Sequence, residues 1–96
     1  MLRRTAADGH VEVCFIIHGD NHPGPITVVG DFNEWDPTAN PLQPDGDGTV
    51  STTVRLAPGC RYAFRYRDAE GRWFNDEAAD DYCANDWGGM NGVVET

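Results

Sequence analysis

Six side chains in this 96-residue sequence have the most to offer chemically: the indoles of Trp35, Trp73 and Trp87, and the short amides of Asn33, Asn75 and Asn91. An exposed indole is a broad, rigid, electron-rich face that can take the C–H surface of a sugar ring out of water. Covering about 60 Å² of apolar surface on one ring is worth roughly 1.5 kcal/mol. A carboxamide donates and accepts at once, which suits a pair of neighbouring hydroxyls. Such a set favours a neutral, hydroxyl-rich ligand. Other chemistry finds less support. Cys14, Cys60 and Cys83 form no C-x-x-C pair, and His10, His18 and His22 lie near one end, so a zinc site would need distant single residues and none is expected. Asp45-Gly46-Asp47-Gly48 has the look of a calcium loop but fails the EF-hand pattern at its fifth and sixth positions; it reads as a turn. No Ser-His-Asp or Cys-His motif and no phosphate-cradling glycine loop is recognisable. A pair of carboxylates that cleaves a glycoside needs a cleft, for which so short a chain has little scope. Neither catalysis nor a cofactor is expected.

Charge narrows the ligand further. Sixteen acids stand against seven bases, all of them arginine, for a net charge of −9. A field of that sign repels phosphate backbones and anionic membranes, so neither nucleic acid nor membrane is an expected partner, whereas a neutral glycan is not penalised. No segment approaches the roughly 20 apolar residues that span a bilayer. Met1-Leu2-Arg3-Arg4-Thr5 has a basic pair but no apolar run behind it, so a secretory leader is not expected. Three cysteines without a leader argue against a disulfide framework and for a cytoplasmic location.

The elements that must carry these side chains are strands. In His10–His18, Val11, Val13, Phe15 and Ile17 alternate with Glu12, Cys14, Ile16 and His18, the period of a strand. The turn formers of Gly19–Pro25 end it, and Ile26–Val29 is a second short strand. Val50, Thr52, Val54 and Leu56 alternate with Ser51, Thr53 and Arg55; Cys60, Tyr62, Phe64 and Tyr66 alternate with Arg61, Ala63, Arg65 and Arg67. Joined by Ala57-Pro58-Gly59, these two runs are expected to form a hairpin. Short strands follow at Arg72–Asn75 and Gly92–Glu95, with the acidic stretch Asp76–Asp86 as loop, including one helical turn at Glu77–Ala79. Six or seven short strands imply one all-β domain over residues 10–96, an antiparallel sandwich of two sheets, with residues 1–9 as an N-terminal arm. Phe32, Tyr62, Phe64 and Tyr66 are expected in the core.

Three motifs in register carry a resemblance. Val29-Gly30-Asp31-Phe32-Asn33-Glu34-Trp35 is similar to a G-x-F-N-x-W signature. Tyr62-Ala63-Phe64-Arg65-Tyr66, followed by Gly71-Arg72-Trp73-Phe74-Asn75-Asp76, is similar to an aromatic strand, a turn, then a tryptophan and an Asn/His-Asp pair. Asn91-Gly92-Val93-Val94 matches an asparagine ahead of an apolar strand. Together they resemble carbohydrate-binding module family 48, the isoamylase early-set or glycogen-binding domains. That family includes the glycogen-binding domain of the AMP-activated protein kinase beta subunit and the early-set domains of isoamylases and glycogen branching enzymes. The chain looks closest to short bacterial proteins in which the domain stands alone. The resemblance implies an immunoglobulin-like sandwich that binds α-1,4-glucan (glycogen, starch or maltooligosaccharide) without catalysis. A glycogen-metabolising enzyme or a second copy is the protein partner it would allow.

Carried over by position, Trp35 and Trp73 match the two tryptophans that stack on glucose rings, and Asn91 an asparagine that bonds sugar hydroxyls. Trp87 falls where the family places a leucine beneath the sugar chain. Ala63 stands where those members have a lysine, Gly89 where they have a threonine, and Asp76-Glu77 where Asp-Pro is usual. Arg65, two residues along the same face, can stand in for the lysine. Other placements stay open. Trp35 can plug the end of the sandwich, Asn91 can cap a turn, and either Trp73 or Phe74 faces inward. The departures at Ala63 and Gly89 favour the runner-up, an early-set structural or interaction domain whose tryptophans contact protein instead of sugar.

Overall fold

The computed structural model describes residues 1–19, 22 and 24–96; the expected turn Gly19–Pro25 lies partly outside them. Among the described residues, nine strands build two antiparallel sheets: β1 (Leu2–Ala7), β2 (His10–His18), β3 (Thr27–Gly30), β4 (Gln43–Pro44), β5 (Thr49–Leu56), β6 (Arg61–Arg67), β7 (Trp73–Phe74), β8 (Asp81–Ala84) and β9 (Met90–Glu95). The first sheet runs β1-β2-β5-β4 and the second β3-β6-β9-β8, with β7 also paired to β6. The all-β sandwich expected from the alternating runs is therefore the observed architecture. No α-helix occurs among the described residues, and the chain around Glu77–Ala78 is a turn.

Both strands with clear alternation point one row inward. Val11, Val13 and Phe15 of β2 meet Phe64 and Tyr66 of β6 in a single buried cluster with Val28, Leu42, Leu56 and Val94. Phe15 and Phe64, from opposite sheets, pack edge-to-face at 5.1 Å between centroids, the favoured geometry for two aromatic quadrupoles. Phe32 and Tyr62 are half-buried against this cluster, and Phe74 packs on it while Trp73 faces out.

Three expectations are corrected. The hairpin across Ala57-Pro58-Gly59 does not form: β5 pairs with β2 along eight residues, whereas β6 pairs with β3, β7 and β9 in the other sheet. The inward rows of β5 and β6 can be buried side by side or face to face, and alternation cannot distinguish the two. The connection is held as a crossing by Ala57 N–H donating to Tyr62 Oη (3.2 Å) and Thr96 Oγ1 donating to the Ala57 carbonyl (2.6 Å). Residues 1–9 are not an arm. Asp8-Gly9, with Gly9 at φ +75°, makes a two-residue turn that pairs β1 with β2 from Leu2↔Phe15 to Ala7↔His10. The acidic stretch Asp76–Asp86 is not all loop, because Asp81–Ala84 adds to β9 as an edge strand. With β4, these additions raise the strands from the six or seven expected to nine.

One buried polar pair ties the inner core to the segment that follows β7. Tyr66, fully buried, donates its hydroxyl to Asp76 Oδ2 at 2.7 Å, and Asp76 is itself 3% exposed. The same carboxylate accepts from Ala78 N–H and from the Met1 amino group. Burial first, and then the Asp76 charge, holds the Tyr66 phenol protonated well above its ordinary range. Its raised value in the folded state means that this stabilisation is whole below about pH 10 and declines as pH climbs past that point, where the unfolded phenol ionises. Urea titrations should show stability falling above about pH 10. Tyr66→Phe should flatten that fall while lowering stability at neutral pH by about 1–3 kcal/mol, because the carboxylate loses a buried donor. A decline of equal steepness in the variant would remove Tyr66 as its cause.

Candidate functional site

The outward face of the β3-β6-β9-β8 sheet carries an open groove of about 780 Å³, a size typical of small-molecule sites. Its floor is Ala63 and Arg65 on β6, its two banks are the loops after β3 and β8, and Trp73 of β7 also lines it. Alternation along β6 explains the floor: Phe64 and Tyr66 enter the core, so Ala63 and Arg65 face the other way.

The first bank begins where β3 ends. Gly30 leads into a short 3₁₀ turn, Asp31–Asn33, after which Glu34 and Trp35 both take left-handed backbone angles, φ +58° and +59°. Two such non-glycine residues in succession cost about 1–2 kcal/mol each and persist only where neighbours over-determine them. Here the neighbours do. Asn33 Oδ1 accepts from Gly30 N–H, and its Nδ2 donates to the Val28 carbonyl and to Asn40 Oδ1. Trp35 N–H donates to the Gly30 carbonyl at 3.0 Å. Asp31 then joins bank to floor: one carboxylate oxygen accepts from the Trp35 indole N–H at 3.0 Å, the other from Ala63 N–H at 2.8 Å. Trp35 is thereby fixed as one wall of the groove, half-exposed.

On the floor, Arg65 Nε donates to Asn75 Oδ1 at 3.0 Å while Asn75 Nδ2 donates to the Met90 carbonyl, also at 3.0 Å. The Arg65 guanidinium is therefore aimed, and among the described residues it has no carboxylate partner. Arg61, by contrast, is spent on Glu95 and Asp81 farther along the sheet. Trp73 is 42% exposed and sits opposite Arg67 in the β6–β7 pair, with the Arg67 guanidinium 5.8 Å from its ring centroid. The second bank runs from Cys83 through Trp87 and returns at Asn91, the cross-strand partner of Cys83. Trp87 stands out at 89% exposed.

Of the seven residues singled out from sequence, Trp35, Trp73, Trp87, Asn91 and Arg65 line this groove. Asn33 and Asn75 do not. Asn33 spends its carboxamide on the Trp35 turn, and Asn75 spends its own on aiming Arg65. Ala63 and Arg65 both line the floor. Sequence reasoning missed Asp31, Asn85 and Asp86 as lining residues. Asp31 had no signal beyond that of a turn former after a strand. Asn85 had a faint one, since Asn-Asp-Trp-Gly-Gly is the composition of a side-chain-capped turn.

The chain matches no family model. A stretch of 48 residues, 48% of the chain, is 50% identical to a 1,4-alpha-glucan branching enzyme of Rhizobium johnstonii. The stretch spans 6% of that enzyme's length, so the likeness concerns a small part of a much larger protein.

Proposed function

We propose that this protein is a non-catalytic α-glucan-binding module of the family 48 type, taking glycogen, starch or maltooligosaccharide chains in the groove on its second sheet. The observation that carries this reading is the convergence of three indoles with Arg65 and Asn91 around one open groove. Indole faces would cover sugar C–H surface, while the guanidinium and the carboxamide would bond ring hydroxyls. The part-length likeness to a glucan branching enzyme supports the same ligand class. Glycosyl transfer is not part of the proposal. Asp31 already bonds through both oxygens, and among the described residues that line the groove the other acid is Asp86, with no further carboxylate beside it. Two or three platforms and a few hydrogen bonds, less the cost of ordering the chain, put affinity between about micromolar and millimolar.

The test is tryptophan fluorescence of the protein titrated with maltoheptaose and β-cyclodextrin, with cellohexaose as the β-linked control. A saturable change with the α-linked sugars alone is the expected outcome. No change up to about 10 mM removes the glucan reading. It would promote a protein-contact role, which the exposure of Trp87 in the β8–β9 loop, and of Tyr82 and Met90 on the strands it joins, favours as the second reading.

A further inference from the structure

One side chain, Asn85, fills the loop of the second bank with hydrogen bonds. Asn85 Oδ1 accepts from two backbone N–H groups, those of Trp87 and Gly89, each at 3.0 Å, while Asn85 N–H donates to the Gly89 carbonyl at 3.0 Å. This closes the five-residue loop in which Trp87 stands out, with Gly88 at φ +81° making its reversal. The other end of the same carboxamide reaches across to β9, where Nδ2 lies 3.3 Å from Asn91 Oδ1. Packing at position 89 is tight, since a Cβ there would lie 3.3 Å from Asn85 Nδ2 and push it by a few tenths of an ångström. The side chain is half-buried and lines the groove behind Trp87.

Chemistry fixes which way both amides point. Backbone N–H groups only donate, so the atom of Asn85 between them must be its oxygen, and its nitrogen must face Asn91. The atom of Asn91 that meets this nitrogen must then be an oxygen, which leaves Asn91 Nδ2 as the group free for a ligand. We propose that Asn85 is the positioning residue of the groove: its oxygen holds the Trp87 loop and its nitrogen sets Asn91 as a hydrogen-bond donor. With Arg65 aimed from the floor by Asn75, the groove presents two donor groups to ligand oxygens. The inference rests on the glucan reading for the identity of the ligand and on this chain's own hydrogen bonds for the rest.

Two substitutions separate the two duties. Asn85→Ala removes both. Asn85→Asp keeps an oxygen for the Trp87 and Gly89 N–H groups but cannot donate, so Asn91 must turn its nitrogen inward and offer its oxygen to the groove. The added charge meets no opposite charge on an uncharged sugar. In ¹H–¹⁵N spectra, Asn85→Ala should speed hydrogen exchange at the Trp87 and Gly89 amides about tenfold or more, whereas Asn85→Asp should leave it within about twofold. Asn85→Asp should nonetheless move the Asn91 side-chain resonances and weaken maltoheptaose binding about tenfold. Unmoved Asn91 resonances, or wild-type affinity in Asn85→Asp, would overturn the proposal, as would undisturbed exchange in Asn85→Ala. Should the unaltered protein fail to bind maltoheptaose, the glucan reading falls, and the exchange rates and Asn91 resonances still decide whether Asn85 positions the bank.

Discussion

Gly30→Ala should cost about 3 kcal/mol or more of stability, the upper end of what overpacking does in a well-filled interior. The added methyl would lie 2.5 Å from the Ala63 carbonyl oxygen and 2.9 Å from both the Phe64 Cβ and the Phe32 ring. Its first obstacle is backbone, and that backbone belongs to β6, the strand paired to β3 at Gly30↔Phe64. Relief requires prising the two strands apart, at the place where Phe64 anchors the core. The backbone angles of Gly30 are extended and open to any residue, so space alone demands glycine here. The same displacement moves Asp31 away from Ala63 N–H and loosens Trp35, so surviving folded protein should also bind glucan more weakly. Urea denaturation of the variant measures the first effect. A midpoint within about 0.5 kcal/mol of the unaltered protein would show that β3 and β6 can separate at small cost.

Trp73→Ala should abolish most of the maltoheptaose response while leaving the fold almost untouched. The indole is 42% exposed, and its described side-chain contact of note is the Arg67 guanidinium, an exposed cation–π pair worth about 0.5–1 kcal/mol. Loss of one sugar platform removes roughly 1.5 kcal/mol of apolar contact, which is about tenfold in affinity. Trp35→Ala should weaken binding by a similar factor but cost stability too, because one Asp31 oxygen loses its indole donor and the left-handed backbone at position 35 loses that side-chain anchor. A split of this kind, affinity without stability at Trp73 and both at Trp35, is what a binding face on a rigid sheet requires. Unchanged affinity in Trp73→Ala would take Trp73 out of the site and leave Trp35 and Trp87 to carry it.

How the two sheets are assembled explains why some residues announced themselves and others did not. Phe64 and Tyr66 were legible as core, and Ala63 and Arg65 as the opposite face, because side chains alternate along any strand whatever its partner. The choice between Trp73 and Phe74 was open in the sequence and closed by pairing: Phe74 sits opposite Tyr66 and packs inward, so Trp73 goes out with Arg67. Asn33 and Asn75 looked like ligand groups on composition alone. Each is instead used up by bonds inside the protein, Asn33 to Asn40 seven residues away and Asn75 to Arg65 ten residues away.

Local information by itself determined that this chain is built of short strands, which positions face a core, and that three tryptophans are available for an apolar contact. Turn formers and period-two alternation act within a few residues, so they are written in the order of the chain. Tertiary structure decided which strands became neighbours, sending β5 and β6 to opposite sheets and recruiting β1, β4 and β8. It also made a groove out of separate loops. The bond from Ala63 N–H to Asp31 spans 32 residues, and Asn91 reaches the same space from the last strand. Such contacts are chosen by the backbone hydrogen bonds and burial of the whole sandwich, for which no short stretch of sequence carries the instruction.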